Sequence, residues 1–195
     1  MYNAQYSTTY LGPVSWYAKL LKYKHICPQT DVPYERQTLA SRCYIDSPNG
    51  QLMLNIPIEH NSGQRIKDTR ISYRDRWPEQ HWQAIKTAYG KTPFFDAIGD
   101  DIQIILQQKP AFLLDLNNRL TRMILEWLRM DISVLESLSA EAETLSIPAP
   151  KEVLKEQLPS YPQAFDHKFG FRSNLSVIDL VFNEGPAAQD YLNSL

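Results

Sequence analysis

The sequence predicts a mixed α/β fold of the α+β kind: a small β-sheet with a hairpin in the N-terminal half and a mainly helical C-terminal half. Three observations predict it. From Leu39 to Ile58 the period is two, with Cys43 and Ile45 on one side and Leu52, Leu54, Ile56 and Ile58 continuing past Pro48-Asn49-Gly50. That alternation belongs to half-buried strands, and Asn-Gly between two such runs marks a hairpin. From Phe112 or Leu113 through Leu116, Leu120, Met123, Ile124 and Leu128, apolar residues repeat at helical spacing, which predicts the main packing helix. Between these regions, Pro78 opens and Gly90 closes a helix in which Trp82, Ile85 and Tyr89 share one stripe and His81 lies on its flank. Gly90 is expected to take the positive φ of a helix stop.

The remaining elements follow from the same local signals. Tyr6 to Tyr10 is a β-prone run ending at Gly12-Pro13, and Val14, Tyr17, Leu20 and Leu21 mark one face of a helix reaching about Tyr23. His25-Ile26-Cys27 predicts a strand, and Gln29 to Arg36, broken by Pro33, predicts a loop of the kind that carries sites. Ile66 to Ser72 is expected as a further strand. A short helical piece after Thr92-Pro93 is expected to be separate from a helix capped by Asp100 or Asp101 and ended by Pro110. Ser133 to Leu145 is expected as a helix, acidic and less apolar. Helices from Asn174 or Leu175 to Asn183 and from Pro186 complete the chain. Val177, Ile178, Leu180, Val181 and Phe182 are too apolar to remain in water, so the tail is expected to dock and residues 1–195 to form one domain.

Composition narrows the function classes. With 43% hydrophobic and 22% charged residues and a net charge of -2, nothing in the balance calls for nucleic acid or an anionic membrane. The opening residues lack a basic segment followed by an apolar run, and no apolar stretch is long enough to span a bilayer, so a cytoplasmic location is expected. Cys27 and Cys43 are too few for a disulfide framework, and His25, His60, His81 and His167 show no ligand spacing, so no metal site is expected. GxGxxG, P-loop and GxSxG motifs are absent, which points away from dinucleotide enzymes, P-loop NTPases and ordinary esterases and leaves no cofactor named.

The chemistry-bearing residues each carry two readings. His81 is either a general acid or base, its ordinary pKa suiting proton transfer near neutrality, or a half-buried helix histidine bonded to a carbonyl. Arg42, on the strand face opposite Cys43, either binds an anion or makes a structural ion pair. Cys43 shares a face with Ile45, the pattern of a buried, inert thiol. Tyr10, Tyr34, Trp77, Trp82 and Tyr89 either line a pocket by stacking or belong to core and boundary.

Several stretches together resemble the WbqC-like family of bacterial proteins. They are Tyr10-Leu-Gly-Pro13 before a helix, Gln37-Thr38, Arg42-Cys43, Asn49-Gly50, Ile56-Pro57, Trp77, His81-Trp82, Ala84, Ala88-Tyr89, Thr92-Pro-Phe-Phe95, and the tail from Asn174 to Pro186. Some members lie in O-antigen, or surface polysaccharide, gene clusters, with glycine transfer suggested as their activity. The resemblance implies a transferase moving a small acyl or aminoacyl group to a sugar, with His81 and Arg42 catalytic and Tyr10, Gln37, Trp77, Trp82 and Tyr89 binding substrate. A nucleotide sugar or acyl donor is the implied small-molecule partner. Close relatives resemble E-N-Y-x-K-Q-T-Y-R-N-R-C where this chain reads Val32-Pro-Tyr-Glu-Arg-Gln37-Thr-Leu-Ala-Ser-Arg42-Cys43. That departure keeps open the alternative of a non-catalytic protein that binds a ligand or partner.

Overall fold

The structure, a computed structural model, describes residues 3–59, 63–138 and 142–195. Its centre is a four-stranded sheet in the order β5-β2-β1-β6. Strand β1 is Asn3–Tyr6, β2 is His25–Pro28, β5 is Ser133–Val134 and β6 is Glu143–Leu145. Every pairing is parallel: β1 sets Ala4 against Ile26 on one side and against Glu143 on the other, while β2 sets Ile26 against Val134. Ala4, Tyr6 and Ile26 are wholly buried on the face that meets the core, while Gln5, between the first two on β1, points the other way and is exposed. Helix α1, Val14–Leu20, connects β1 to β2.

The predicted hairpin forms apart from this sheet. Strand β3, Arg42–Ile45, pairs antiparallel with β4, Leu52–Asn55. Gly50, at φ +108, takes the left-handed turn position that a side chain would strain, and its N–H donates to the Ser47 carbonyl at 3.0 Å. Next come α2, Trp77–Tyr89, α3, Phe95–Gln107, and α4, Leu113–Trp127, with α2 packing on α3 and α3 on α4. After two single-turn helices, α5, Pro150–Val153, and α6, Asp166–Phe169, the chain ends in α7, Val177–Glu184, and α8, Ala187–Asn193.

The tail is built into the body. Ser176 donates its N–H to the Tyr44 carbonyl and Val177 to that of Gly12, both at 2.8 Å. Val177, Ile178, Leu180, Val181 and Phe182 are all buried in the common core. Burying each such side chain contributes roughly 1.5–3 kcal/mol, so α7 is a main stabilising element. Gly185, at φ +53, ends it where an added Cβ would lie 2.5 Å from the Phe94 ring.

Five local expectations are corrected. The first strand is Asn3–Tyr6 and stops before Ser7: Tyr10 donates its N–H to Leu39, and Leu11 has a left-handed φ of 44, so residues 7–13 form a loop. Ile66–Asp68 is a 3₁₀ turn, with Ile66 buried and Lys67 and Asp68 both exposed, so it does not follow strand alternation. The two helices expected between Thr92 and Pro110 are one, α3, because Gly99 continues it and makes room for the Phe95 ring beside its Cα. Gly90 is right-handed, at φ -61. Between Ser133 and Leu145 the expected helix gives way to β5 and β6, since the open edges of β2 and β1 satisfy their backbone groups; residues 139–141 lie outside the described residues.

Candidate functional site

Parallel strands deliver their carboxyl ends to one edge of the sheet. From β1 the chain moves to β2 and then β5 on one flank, and β6 joins the other flank of β1, so the strand order reverses beside β1. A crevice opens outside the carboxyl ends at such a reversal. Here it is a cavity of about 580 Å³. Ser7 and Thr8 follow β1 into it, Gln29 follows β2, and Ser146 to Pro150 follow β6. The facing wall is the loop carrying Val32, Pro33, Glu35, Arg36, Gln37 and Thr38.

That loop is fastened from behind. Tyr34 donates its N–H to the Gln64 carbonyl at 3.0 Å, and Val32 accepts from Ile66 at 2.9 Å. Asp31 pairs with Lys67 at 2.6 Å and with Arg65 at 3.6 Å, and the Lys67 hydrogen bond holds its carboxyl below the ordinary carboxylate range. Gln37 has a φ of 60, a left-handed conformation that a non-glycine residue adopts at a cost of about 1–2 kcal/mol. Residues held this way concentrate at functional sites. Ser7 Oγ donates to Gln29 Oε1 at 3.2 Å, which leaves the amide NH₂ of Gln29 as its donor. Thr8 is only 4% exposed, and its Oγ1 has no hydrogen-bond partner among the described residues.

The other predicted residues lie elsewhere. His81 is 6% exposed, with Tyr10 Oη 2.9 Å from its Nδ1 and the Trp77 ring edge-on at 5.0 Å. Burial pushes its pKa down to about 4, partly offset by a hydrogen bond to the Asn55 backbone. The imidazole is therefore neutral at pH 7. Asn55 Oδ1 in turn accepts from Arg42 Nε at 3.0 Å. Tyr10, His81, Asn55 and Arg42 thus form a linked row, and Trp77 closes one side of it.

His81 was expected on the flank of its helix and Trp82 on the buried stripe, and the structure reverses them. Trp82 is half-buried and stacks on Phe95 at 5.6 Å. Tyr89 is fully buried, its oxygen accepting from the Asp46 N–H at 3.0 Å. Of the predicted residues, Gln37 lines the cavity; His81, Arg42, Tyr10, Trp77, Trp82 and Tyr89 do not. Cys43 is 2% exposed, and burial raises its thiol pKa far above the ordinary value. A second, more open cavity of about 750 Å³ lies between the hairpin turn and the outer face of α2, and none of the predicted residues lines it either.

Ser7, Thr8 and the residues 146–150 were missed by sequence reasoning, and Gln29 was placed only as part of a loop of the kind that carries sites. The loop after β2 was visible as a site-bearing loop, but the one after β6 was hidden because β6 read as helix.

A family comparison spans most of these positions. The chain belongs to the WbqC-like protein family. The family's model matches residues 9–155, a span containing the Tyr10–His81–Arg42 row and most of the cavity wall, with Ser7 and Thr8 just before it. One relative is "Uncharacterized protein Rv1507c" of Mycobacterium tuberculosis (strain ATCC 25618 / H37Rv). It is 25% identical over 196 residues, covering 83% of this chain and 84% of that protein. No solved structure matches the chain. Among the described residues of this WbqC-like chain no three His, Cys, Asp or Glu side chains gather as a metal-binding set, and His60 lies outside them. No helix among them is long and apolar enough to cross a membrane.

Proposed function

We propose that this WbqC-like protein transfers a small acyl or aminoacyl group, of the glycine type, to a sugar in surface polysaccharide biosynthesis, and that its substrate occupies the cavity at the carboxyl edge of the sheet. The observation that carries the proposal is the placement of that cavity where the strand order reverses, with hydroxyl and amide side chains lining it. Transfer needs a base for the acceptor and a positive group for the developing oxyanion. In the cavity Glu35 supplies the first and Arg36 the second. A neutral, buried His81 is better suited to hold the loop carrying Tyr10 than to exchange protons with a substrate.

A second reading, a non-catalytic ligand-binding member of the family, is favoured by the separation of His81 and Arg42 from the cavity. Thermal-shift screening with nucleotide sugars, amino acids and acyl donors identifies ligands, because a ligand that binds the folded state alone raises the melting temperature. Turnover of a ligand pair, lowered about 10²–10⁴-fold by Glu35→Gln with binding retained, supports the transferase. Ligands that bind and are never turned over support the binder.

A further inference from the structure

The deepest part of the cavity differs chemically from its mouth. Glu35 and Arg36, the charged residues of its lining, are both exposed, whereas Thr8 and Ala40 are buried. An anionic group carried to the depth of Thr8 leaves water without meeting a counter-charge there. One carboxylate and one guanidinium at the mouth also offset one another, so the lining itself carries no net charge. Apolar contacts are supplied by Val32, Pro33, Ile147 and Pro148.

Thr8 Oγ1 is a polar atom withdrawn from solvent and without a hydrogen-bond partner among the described residues. Buried hydroxyls are normally satisfied, and one left orphaned destabilises the fold. Its side chain lines the cavity, and rotation about Cα–Cβ exchanges methyl and hydroxyl between staggered positions. A seated ligand that offers a hydrogen-bonding group therefore relieves an unfavourable feature of the empty protein.

We infer that Thr8 is the recognition residue at the floor of the cavity and takes a hydroxyl of an uncharged ring, a sugar or the ribose of a nucleoside, while any charged part of the ligand stays at the Glu35–Arg36 mouth. This rests on the proposed use of the cavity as the substrate site. The apolar residues receive the C–H face of the ring, and the Gln29 amide is placed to bond a second hydroxyl.

Isothermal titration of the full chain with N-acetylglucosamine, with adenosine and with inorganic phosphate tests it. One of the two uncharged compounds is expected to bind, and which one does distinguishes a sugar from a nucleoside; phosphate is expected not to bind. Thr8→Val should weaken that binding at least about tenfold while melting at or above the wild-type temperature, since it removes an orphaned hydroxyl without changing shape. Thr8→Ser, which keeps the hydroxyl, should bind within about threefold of wild type. Failure of both uncharged compounds to bind at about 50 mM, phosphate binding in their place, or Thr8→Val binding as tightly as wild type overturns the inference. Ala149→Trp, a substitution at an exposed wall position, distinguishes a wrong role for Thr8 from a ligand that binds outside the cavity. If it abolishes binding and Thr8→Val does not, Thr8 alone is misassigned. If it leaves binding intact, the cavity is not the site.

Discussion

The carboxyl-edge cavity and the His81 cluster stand in contrast. One is open, built from loops, and keeps polar groups unspent: the Thr8 hydroxyl, the Gln29 amide, Glu35 and Arg36. The other is closed, built on α2 and the hairpin, and spends its polar groups internally, Tyr10 on His81, His81 on Asn55 and Asn55 on Arg42. The side chains most often associated with catalysis are in the second. A histidine's capacity to move protons depends on access and on a pKa near the working pH, and burial removes both. The cavity has less distinctive residues but has them available.

The contrast is broken most directly by removing the side chains that close the buried cluster. Trp77 is 2% exposed and touches both His81 and Tyr73. Trp77→Ala is expected to cost about 3–5 kcal/mol in urea unfolding, and Trp82→Ala, from a half-buried stack, about half of that. Equal losses would return Trp82 to the core stripe that its spacing suggests.

His81 has a folded pKa of about 4 against an ordinary 6.5, so the unfolded chain binds more protons between those values. Its contribution is full above pH 6.5 and is lost as the pH falls toward 4. Asp179 behaves oppositely. It is fully buried, accepting from Tyr161 Oη at 2.7 Å and Gln163 Nε2 at 2.8 Å, and burial raises its pKa from 3.8 to about 6. The folded chain therefore holds that proton more tightly, and the contribution present below pH 3.8 is lost as the pH rises through 6. Each swing is on the order of 3 kcal/mol, and between pH 4 and 6 the two offset one another. Urea midpoints of Asp179→Asn should rise with pH across that window, and those of His81→Asn should fall. Parallel curves for both variants and wild type would show that neither group titrates with folding.

On the cavity side, stability effects should be small. Arg36→Ala is expected to change stability by less than about 0.5 kcal/mol, as an exposed substitution does. Gln37→Gly, which relieves the left-handed backbone, should leave it unchanged or raise it by about 1 kcal/mol, measured by melting. A loss of more than about 2 kcal/mol from either would mean that the cavity wall is part of the core.

What local chemistry dictates was legible in the chain. Asn49-Gly50 between alternating runs specified the hairpin, and Gly50 takes the positive φ that such turns demand. The bounds of α2 and α4 followed from proline, glycine and helical spacing, because those signals act between residues a turn apart. The docking of α7 followed from its apolar density. Tertiary contact decided the rest. Strands β5 and β6 are two and three residues long and owe their existence to the free edges of β2 and β1, far away in the chain. Only their pairing places Ser146 to Pro150 beside Ser7, Thr8 and Gln29, and so creates the cavity. His81 was misplaced for the same reason. Helical periodicity locates a residue relative to its own helix axis, but β4 and the Tyr10 loop approach α2 on the side of His81, and those neighbours, not the local spacing, set its burial.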